Sequence, residues 1–413
     1  MRIHSTTFGL ALALPLAALA AGCGEVTAPA SITALPRDLS PAELRVIEGS
    51  NAFAIGLLRE AVAAAPDEPN VFLSPLSASM ALGMTMNGAA GDTHTQMRDM
   101  LGFHGLEEPG INAAFRGLID LLLGLDPRVE LGLGNSIWTR EGYPVLADFY
   151  DRARASFDAE VQDLDFADPG APDVINAWVE DVTRGRIRQM VTQIPANVVM
   201  YLLNAVYFKG DWTIRFDPRN TTTAPFTLPD GGSVSVSLMR RSGPFRSFSS
   251  GTGRGIELPY GGGAFTAVAI QPTFQGTLAD LVATLESSDW TEWMAALDAT
   301  EPGEAAVLLP RLELEYEQIL NGTLQALGMT DAFGGAADFS RMVAGGGVWI
   351  DEVKQKTFLK VDEEGTEAAA ATSVSVVESA PPEFRFDRPF LLAIRERISG
   401  TILFIGTIGD PTA

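Results

Sequence analysis

From residue 40 onward the apolar positions fall first at helical spacing and later in strand-like runs. Ser40-Pro41-Ala42-Glu43 reads as a capping box with proline at the first helical position. Leu44, Ile47, Ala54, Leu57, Leu58 and Val62 follow at mostly helical spacing and predict a first helix to about Ala65. Residues 77–87 are almost wholly apolar, which predicts a second, buried helix. Residues 178–182 and 281–285 fall in further amphipathic helices. Strand-like runs cover 129–139, 198–208, 264–271, 306–314, 358–361, 390–395 and 402–408. Helices early and many antiparallel-type strands late predict an α+β fold, not a parallel βαβ sheet.

The stretch from Thr366 to Val377 carries one charge, Glu367, in a chain where charges are otherwise frequent. Side chains alternate between faces along a strand. One face would hold Thr366, Ala368, Ala370, Thr372, Val374 and Val376, all uncharged; the other would hold Glu367, Ala369, Ala371, Ser373, Ser375 and Val377. Gly365 supplies a flexible backbone point ahead of it. Pro381-Pro382 ends any ladder, since proline has no N–H to donate. A dozen residues at ~3.3 Å each would make a strand of ~40 Å. The same alanines favour helix or plain linker, so periodicity leaves both readings open.

Composition narrows the function. The length of 413 residues suggests two or three domains, yet no linker, repeat or low-complexity tract follows residue 40. A net charge of −23 with scattered basic residues argues against nucleic acid as a partner. Arg184, Arg186 and Arg188 alternate and Arg240-Arg241 are adjacent, but neither makes an extended stripe, which also argues against a heparin-type site. His4, His94 and His104 are the only histidines, and His94 and His104 read as ordinary solvated side chains. Two such histidines and one cysteine cannot furnish the usual zinc sets, so no metal or cofactor is expected. There is no Walker phosphate loop and no nucleophile elbow. Gly251, Gly253 and Gly255 read as a flexible hairpin. A hidden carboxylate pair for glycoside chemistry stays open.

The N-terminus reads as a targeting segment. Arg2 opens a short positive region, and residues 8–21 are apolar but short for a bilayer span. The run ends Leu19-Ala20-Ala21-Gly22-Cys23, which resembles a bacterial lipoprotein cleavage site, with Ala20 where Leu is more usual. Residues 1–22 are then the signal peptide, Cys23 the lipidation site and 23–39 a tether of limited structure. A plain secretory signal is the alternative. As the only cysteine, Cys23 excludes an intramolecular disulfide.

Glu363-Glu364-Gly365-Thr366-Glu367-Ala368-Ala369-Ala370-Ala371 resembles the hinge of inhibitory serpins, and Phe386-Asp387-Arg388-Pro389-Phe390 the motif after their reactive loop. Four further blocks resemble the same family in the same order. They are Asn70–Ser77; Asn176-Ala177-Trp178-Val179-Glu180 with Thr183, Gly185 and Ile187; Leu203–Trp212; and Leu403-Phe404-Ile405-Gly406 with Pro411. Together they span about residues 45–413.

The resemblance implies one domain over residues 40–413, with about nine helices around three β-sheets, a large central sheet and an exposed reactive loop at about 363–385. It implies no enzyme but an inhibitor of serine proteases, one that is cleaved as a substrate and traps its protease by inserting the loop as a new strand. A non-inhibitory binding or carrier protein is the alternative; this hinge has no proline, and Glu367 falls on the outward face. Ser74, Ser77, Asn204 and Gln355 match the shutter beneath the sheet, with Gln355 where histidine is common. Trp212 matches the breach, where Glu363 should face Arg311. Counting from Gly365 places the scissile bond at Ser379-Ala380; counting back from Pro389-Phe390 places it at Glu378-Ser379. Such bait suits elastase-like, subtilisin-like or glutamyl-specific proteases. A monomer is expected, exported to the cell envelope and held to a membrane by its lipid.

Overall fold

Ser40 begins the first helix as its sequence requires. Its Oγ accepts from the Glu43 N–H at 3.2 Å, and its own N–H donates to the Glu43 carboxylate at 2.7 Å, closing both halves of the box. The computed structural model describes residues 31–273, 276–364 and 381–413. Within them, helix α1 runs Pro41–Ala64 and the buried α2 Pro75–Met86. Then come α3 (Gly91–Met100), α4 (Glu108–Gly124), α5 (Ala147–Phe157) and α6 (Ala171–Val182). Late in the chain lie α7 (Leu278–Ala283), α8 (Ser287–Ala299) and α9 (Asn321–Ala326). No helix among the described residues is long and apolar enough to cross a membrane.

Strand β1 spans Asn70–Leu73, β2 Val129–Arg140, β3 Glu160–Leu164 and β4 Met200–Gly210. Five more strands follow: β5 (Thr222–Thr227), β6 (Ser233–Phe245), β7 (Ser247–Ser249), β8 (Gly253–Pro259) and β9 (Phe265–Pro272). The remaining strands are β10 (Gly303–Pro310), β11 (Leu312–Ile319), β12 (Lys354–Val361), β13 (Glu383–Arg385), β14 (Phe390–Glu396) and β15 (Ile402–Ile408). A six-stranded sheet has the order β1-β15-β14-β9-β8-β7 and a four-stranded one β13-β10-β6-β5. The other two sheets are β3-β2-β4 and the pair β11-β12.

β9, β14 and β15 are buried on both faces, so they read as continuous apolar runs, not alternating ones. β15 lies against β1 with Phe72 opposite Gly406. A Cβ at Gly406 would stand 2.1 Å from the Val71 carbonyl oxygen, so only glycine allows this approach. A second core cluster, including Trp138, Ile175, Val179, Leu203 and Ala205, fills the space between α6 and the β3-β2-β4 sheet.

The structure redraws three boundaries. The single run expected at 306–314 is two strands, β10 and β11, in different sheets. The break falls at Arg311: its N–H still bonds the Ser237 carbonyl, one rung beyond Pro310–Leu238 on β6, and from Leu312 on the chain pairs with β12 instead. Burial changes there too, from unbroken over 305–310 to alternating Leu312, Leu314 and Tyr316 inside and Glu313, Glu315 and Glu317 outside. Residues 281–285 straddle the end of α7 and the turn into α8. Gly251 lies in the β7–β8 turn, but Gly253 and Gly255 sit in β8 itself, where a Cβ on Gly255 would meet Phe248 at 2.4 Å. The described part of the expected tether, residues 31–39, forms no helix or strand, yet Ile32, Leu35 and Leu39 pack against the core.

Candidate functional site

β4 and β12 run the same way side by side, and among the described residues no backbone ladder joins them. Where one large central sheet was expected, β3-β2-β4 and β11-β12 are therefore two separately bonded parts. Their shared direction follows from three contacts. Trp212, just past the end of β4, donates from Nε1 to the carbonyl of Asp362, just past the end of β12, at 2.8 Å. At the other end Asn204 of β4 and Gln355 of β12 both reach the first turn of α2.

That helix turn ties the two parts together from within. Pro75 at its first position and Ser74 as its cap fix where it starts. Gln355 grips Ser74 twice: its Oε1 accepts from the Ser74 N–H at 2.9 Å, and its Nε2 donates to the Ser74 carbonyl at 2.8 Å. The Ser74 hydroxyl donates to the Leu403 carbonyl at 2.8 Å. One turn on, the Ser77 hydroxyl donates to the side-chain Oδ1 of Asn204, and Asn204 Nδ2 donates to Oδ1 of Asn135 on β2 at 2.7 Å. Every member is buried or half-buried, so each bond lost would leave a polar group without water or partner. The structure therefore brings Ser74 and Gln355 together, and separately Ser77 and Asn204, without a direct bond from Gln355 to Asn204. Asn135 was not singled out from sequence; the signal available was an amide in the middle of a strand run, beside Ser136.

At the far end, where the two strands finish, Trp212 is buried, stacked on Tyr260 at 4.3 Å between ring centroids. Gly210 makes room for that stack, since a Cβ there would meet the Tyr260 ring at 2.8 Å. Arg311 Nε donates to Glu363 Oε2 at 2.6 Å, and the Thr221 hydroxyl donates to the other carboxylate oxygen. Burial pushes the Glu363 pKa up, but the hydrogen bonds from Arg311 and Thr221 more than offset it and hold the group below its ordinary range. The Glu363 side chain is 5% exposed, whereas Arg311 is 47% exposed. The carboxylate is thus the fixed partner of the pair.

On the outer face, Arg186 in the turn after α6 lies over the Phe358 ring of β12 at 5.3 Å, a bridge across the seam from the β4 side. Beneath the lower part of the seam is a cavity of about 490 Å³. Ser77, Asn204 and Gln355 line its polar end, and Leu202, Val348 and Trp349 part of its apolar wall. The last residues before the loop, Asp362 to Glu364, sit at the top of the seam, and Pro382 re-enters the fold where its carbonyl accepts from Ala306 at 2.9 Å.

Gly365, Thr366, Glu367, Ala368, Ala369, Ala370, Ala371, Glu378, Ser379, Ala380 and Cys23 lie outside the described residues. The reading of His94 as solvated is corrected: it is largely buried on α3, 3.3 Å from Glu108, which also binds Arg341. The helix places it on a packed face that its polar neighbours in sequence conceal. His104 is exposed beside Asp99.

A family model described as Serpin (serine protease inhibitor) matches residues 48–411. The chain belongs to the serpin family. Its relatives include neuroserpin of Gallus gallus, 31% identical over 364 residues, covering 85% of this chain and 88% of that one. Among solved structures, human kallistatin superposes with a TM-score of 0.81 at 27% identity, covering 90% of this serpin and 99% of kallistatin. Human thyroxine-binding globulin, solved with its ligand, gives 0.80 at 28%, covering 90% and 100%. The serpin fold of helices around several sheets is thus shared across members with different named roles.

Proposed function

We propose that this serpin inhibits serine proteases as a suicide substrate. The observation that carries the reading is the unladdered seam between β4 and β12, two strands that run the same way and end beside the start of the loop. A segment turning back at Gly365 would run antiparallel to both, and its backbone would find donors and acceptors on each side. The protease serine attacks the loop carbonyl at Ser379-Ala380, or at Glu378-Ser379, and the loop stays attached as an acyl-enzyme. Severed, the hinge enters the seam as an added strand, driven by released strain, and carries the tethered protease with it. About ten new ladder bonds at ~0.5–1.5 kcal/mol net each would contribute roughly 5–15 kcal/mol. Small uncharged side chains on the inward face incur no charge-burial penalty.

Ser74, Ser77, Asn204 and Gln355 then hold the seam closed from below, and Trp212, Arg311 and Glu363 hold its upper end. Incubation with elastase, subtilisin and a glutamyl-specific protease tests the reading. A complex that survives SDS is expected. Clean cleavage without a complex and without a gain in heat stability would favour a binding or carrier role instead, the role named for the thyroxine-bound neighbour. Acylation of Cys23 as a membrane anchor is a further part of the proposal, supported by residues 19–23 alone; the neuroserpin relative is a vertebrate protein. Mass spectrometry of the mature N-terminus tests it.

A further inference from the structure

We propose that the arginines around the strand after the reactive loop select proteases whose primed-side rim is acidic. Residues 212–256 and 381–388 hold Arg215, Arg219, Arg240, Arg241, Arg246, Arg254, Arg385 and Arg388 against only Asp217, Asp230, Glu383 and Asp387, in a chain of net charge −23. The fold draws several of these arginines to one place. Arg254 lies over the Phe384 ring at 4.5 Å and donates to the Glu383 carbonyl. Arg240 pairs with the Glu383 carboxylate at 3.3 Å, and Arg385 pairs with Asp387. Arg388 donates to the Pro272 carbonyl at 3.4 Å.

Arg254 and Arg388 make no ion pair among the described residues, and the buried Nε of Arg254 has no hydrogen-bond partner there. Burial first, and then the charge of Arg388, lowers the Arg254 pKa. Arg388 bonds Pro272, which stands opposite Gly253 in the β8–β9 ladder beside Arg254, and two neighbouring cations with no ion pair of their own are an arrangement that an incoming anionic surface relieves. Their place fixes which surface that is. From Ser379 to Glu383, whose carbonyl Arg254 holds, the chain spans at most about 13–14 Å, well inside the Debye length of ~30 Å at low salt. Any protease that grips the bait sets its primed-side rim against this cluster. An acidic rim gains attraction there, while a basic rim meets repulsion close to the scissile bond.

The inference rests on the loop being cut as bait, so the test separates the two ideas. Whichever of the three test proteases cuts the loop is prepared in two forms, one with acidic residues on the primed-side rim and one with lysines there. Association at low salt is expected to be at least about fivefold faster with the acidic form. In ~1 M salt that difference should vanish, and in Arg254→Glu/Arg388→Glu it should vanish or reverse. Equal rates for the two forms on the wild-type chain, or a preference for lysine, would overturn the proposal. If no covalent complex forms, kcat/KM for loop cleavage reads the same preference, so loss of inhibition and loss of charge selection remain distinct. Arg388→Ala, which leaves the Arg254–Phe384 packing in place, is the second variant; it should reduce the difference without lowering thermal stability.

Discussion

Gln355 and Ser74 hold each other by both ends of one side-chain amide, at 2.9 and 2.8 Å, across the junction of β12 and α2. An amide can donate and accept at once, so a single side chain satisfies the Ser74 N–H and carbonyl together. Gln355→Ala should leave the buried Ser74 N–H without a partner, while the Ser74 carbonyl keeps the Ala78 N–H, and should lower stability by about 1–3 kcal/mol. Urea unfolding of the uncleaved protein measures it. A loss below measurable size would show that α2 does not depend on this clasp.

The same side chain does not titrate, so this contact should hold unchanged across roughly pH 5–8. Gln355→His should introduce a transition near the ordinary histidine pKa of about 6.5, visible as a pH-dependent rate of heat-induced loop insertion. A flat profile for the variant would mean that the imidazole faces no proton-sensitive partner at the seam.

Glu363 carries a second pH dependence of opposite origin. Its pKa is held below the ordinary value of 4.5 in the folded state. The stability it contributes is therefore fully present above that ordinary value and is lost as pH falls through the depressed one. The rate of spontaneous insertion should be level from neutral pH to about pH 5 and rise at lower pH. Glu363→Gln should be fast at all pH values and lose that acid limb; a retained limb would assign it to another carboxylate.

Arg186 and Phe358 touch across the outer face. A strand entering beside β12 would widen the seam by about 4.8 Å, and the contact could not survive. An exposed cation–π pair is worth about 0.5–1 kcal/mol, so Arg186→Ala should speed insertion about two- to fivefold. Insertion of a synthetic peptide with the sequence of residues 366–377, followed by native gel, reads the rate. Unchanged kinetics would make the pair a packing detail.

Thr366→Arg places a charge on the face that must go inward. Burial of an unpaired charge costs several kcal/mol, enough to let hydrolysis of the acyl-enzyme overtake insertion. Inhibition should turn into simple cleavage, seen as loss of the SDS-resistant complex with loop cutting retained. An undiminished yield of complex would remove the insertion mechanism.

The apolar pattern, with the Ser40 cap, determined the α+β class, the first helix, the buried α2 and the runs that hold β2, β4, β9 to β12, β14 and β15, because burial imposes a period on each element by itself. The other strands, β1, β6 and β8 among them, left no such mark. The pattern also marked the odd loop, whose neutrality needs no neighbour to be visible. Only the tertiary structure decided that the strand-like run around Pro310 serves two sheets, that Gln355 clasps Ser74 while Asn204 and Asn135 bond elsewhere, and that the seam lies open between β4 and β12. The Gln355–Ser74 and Asn204–Asn135 bonds, for example, join residues 281 and 69 positions apart. A period along the chain says which way a side chain faces, and long-range closure decides what it finds there.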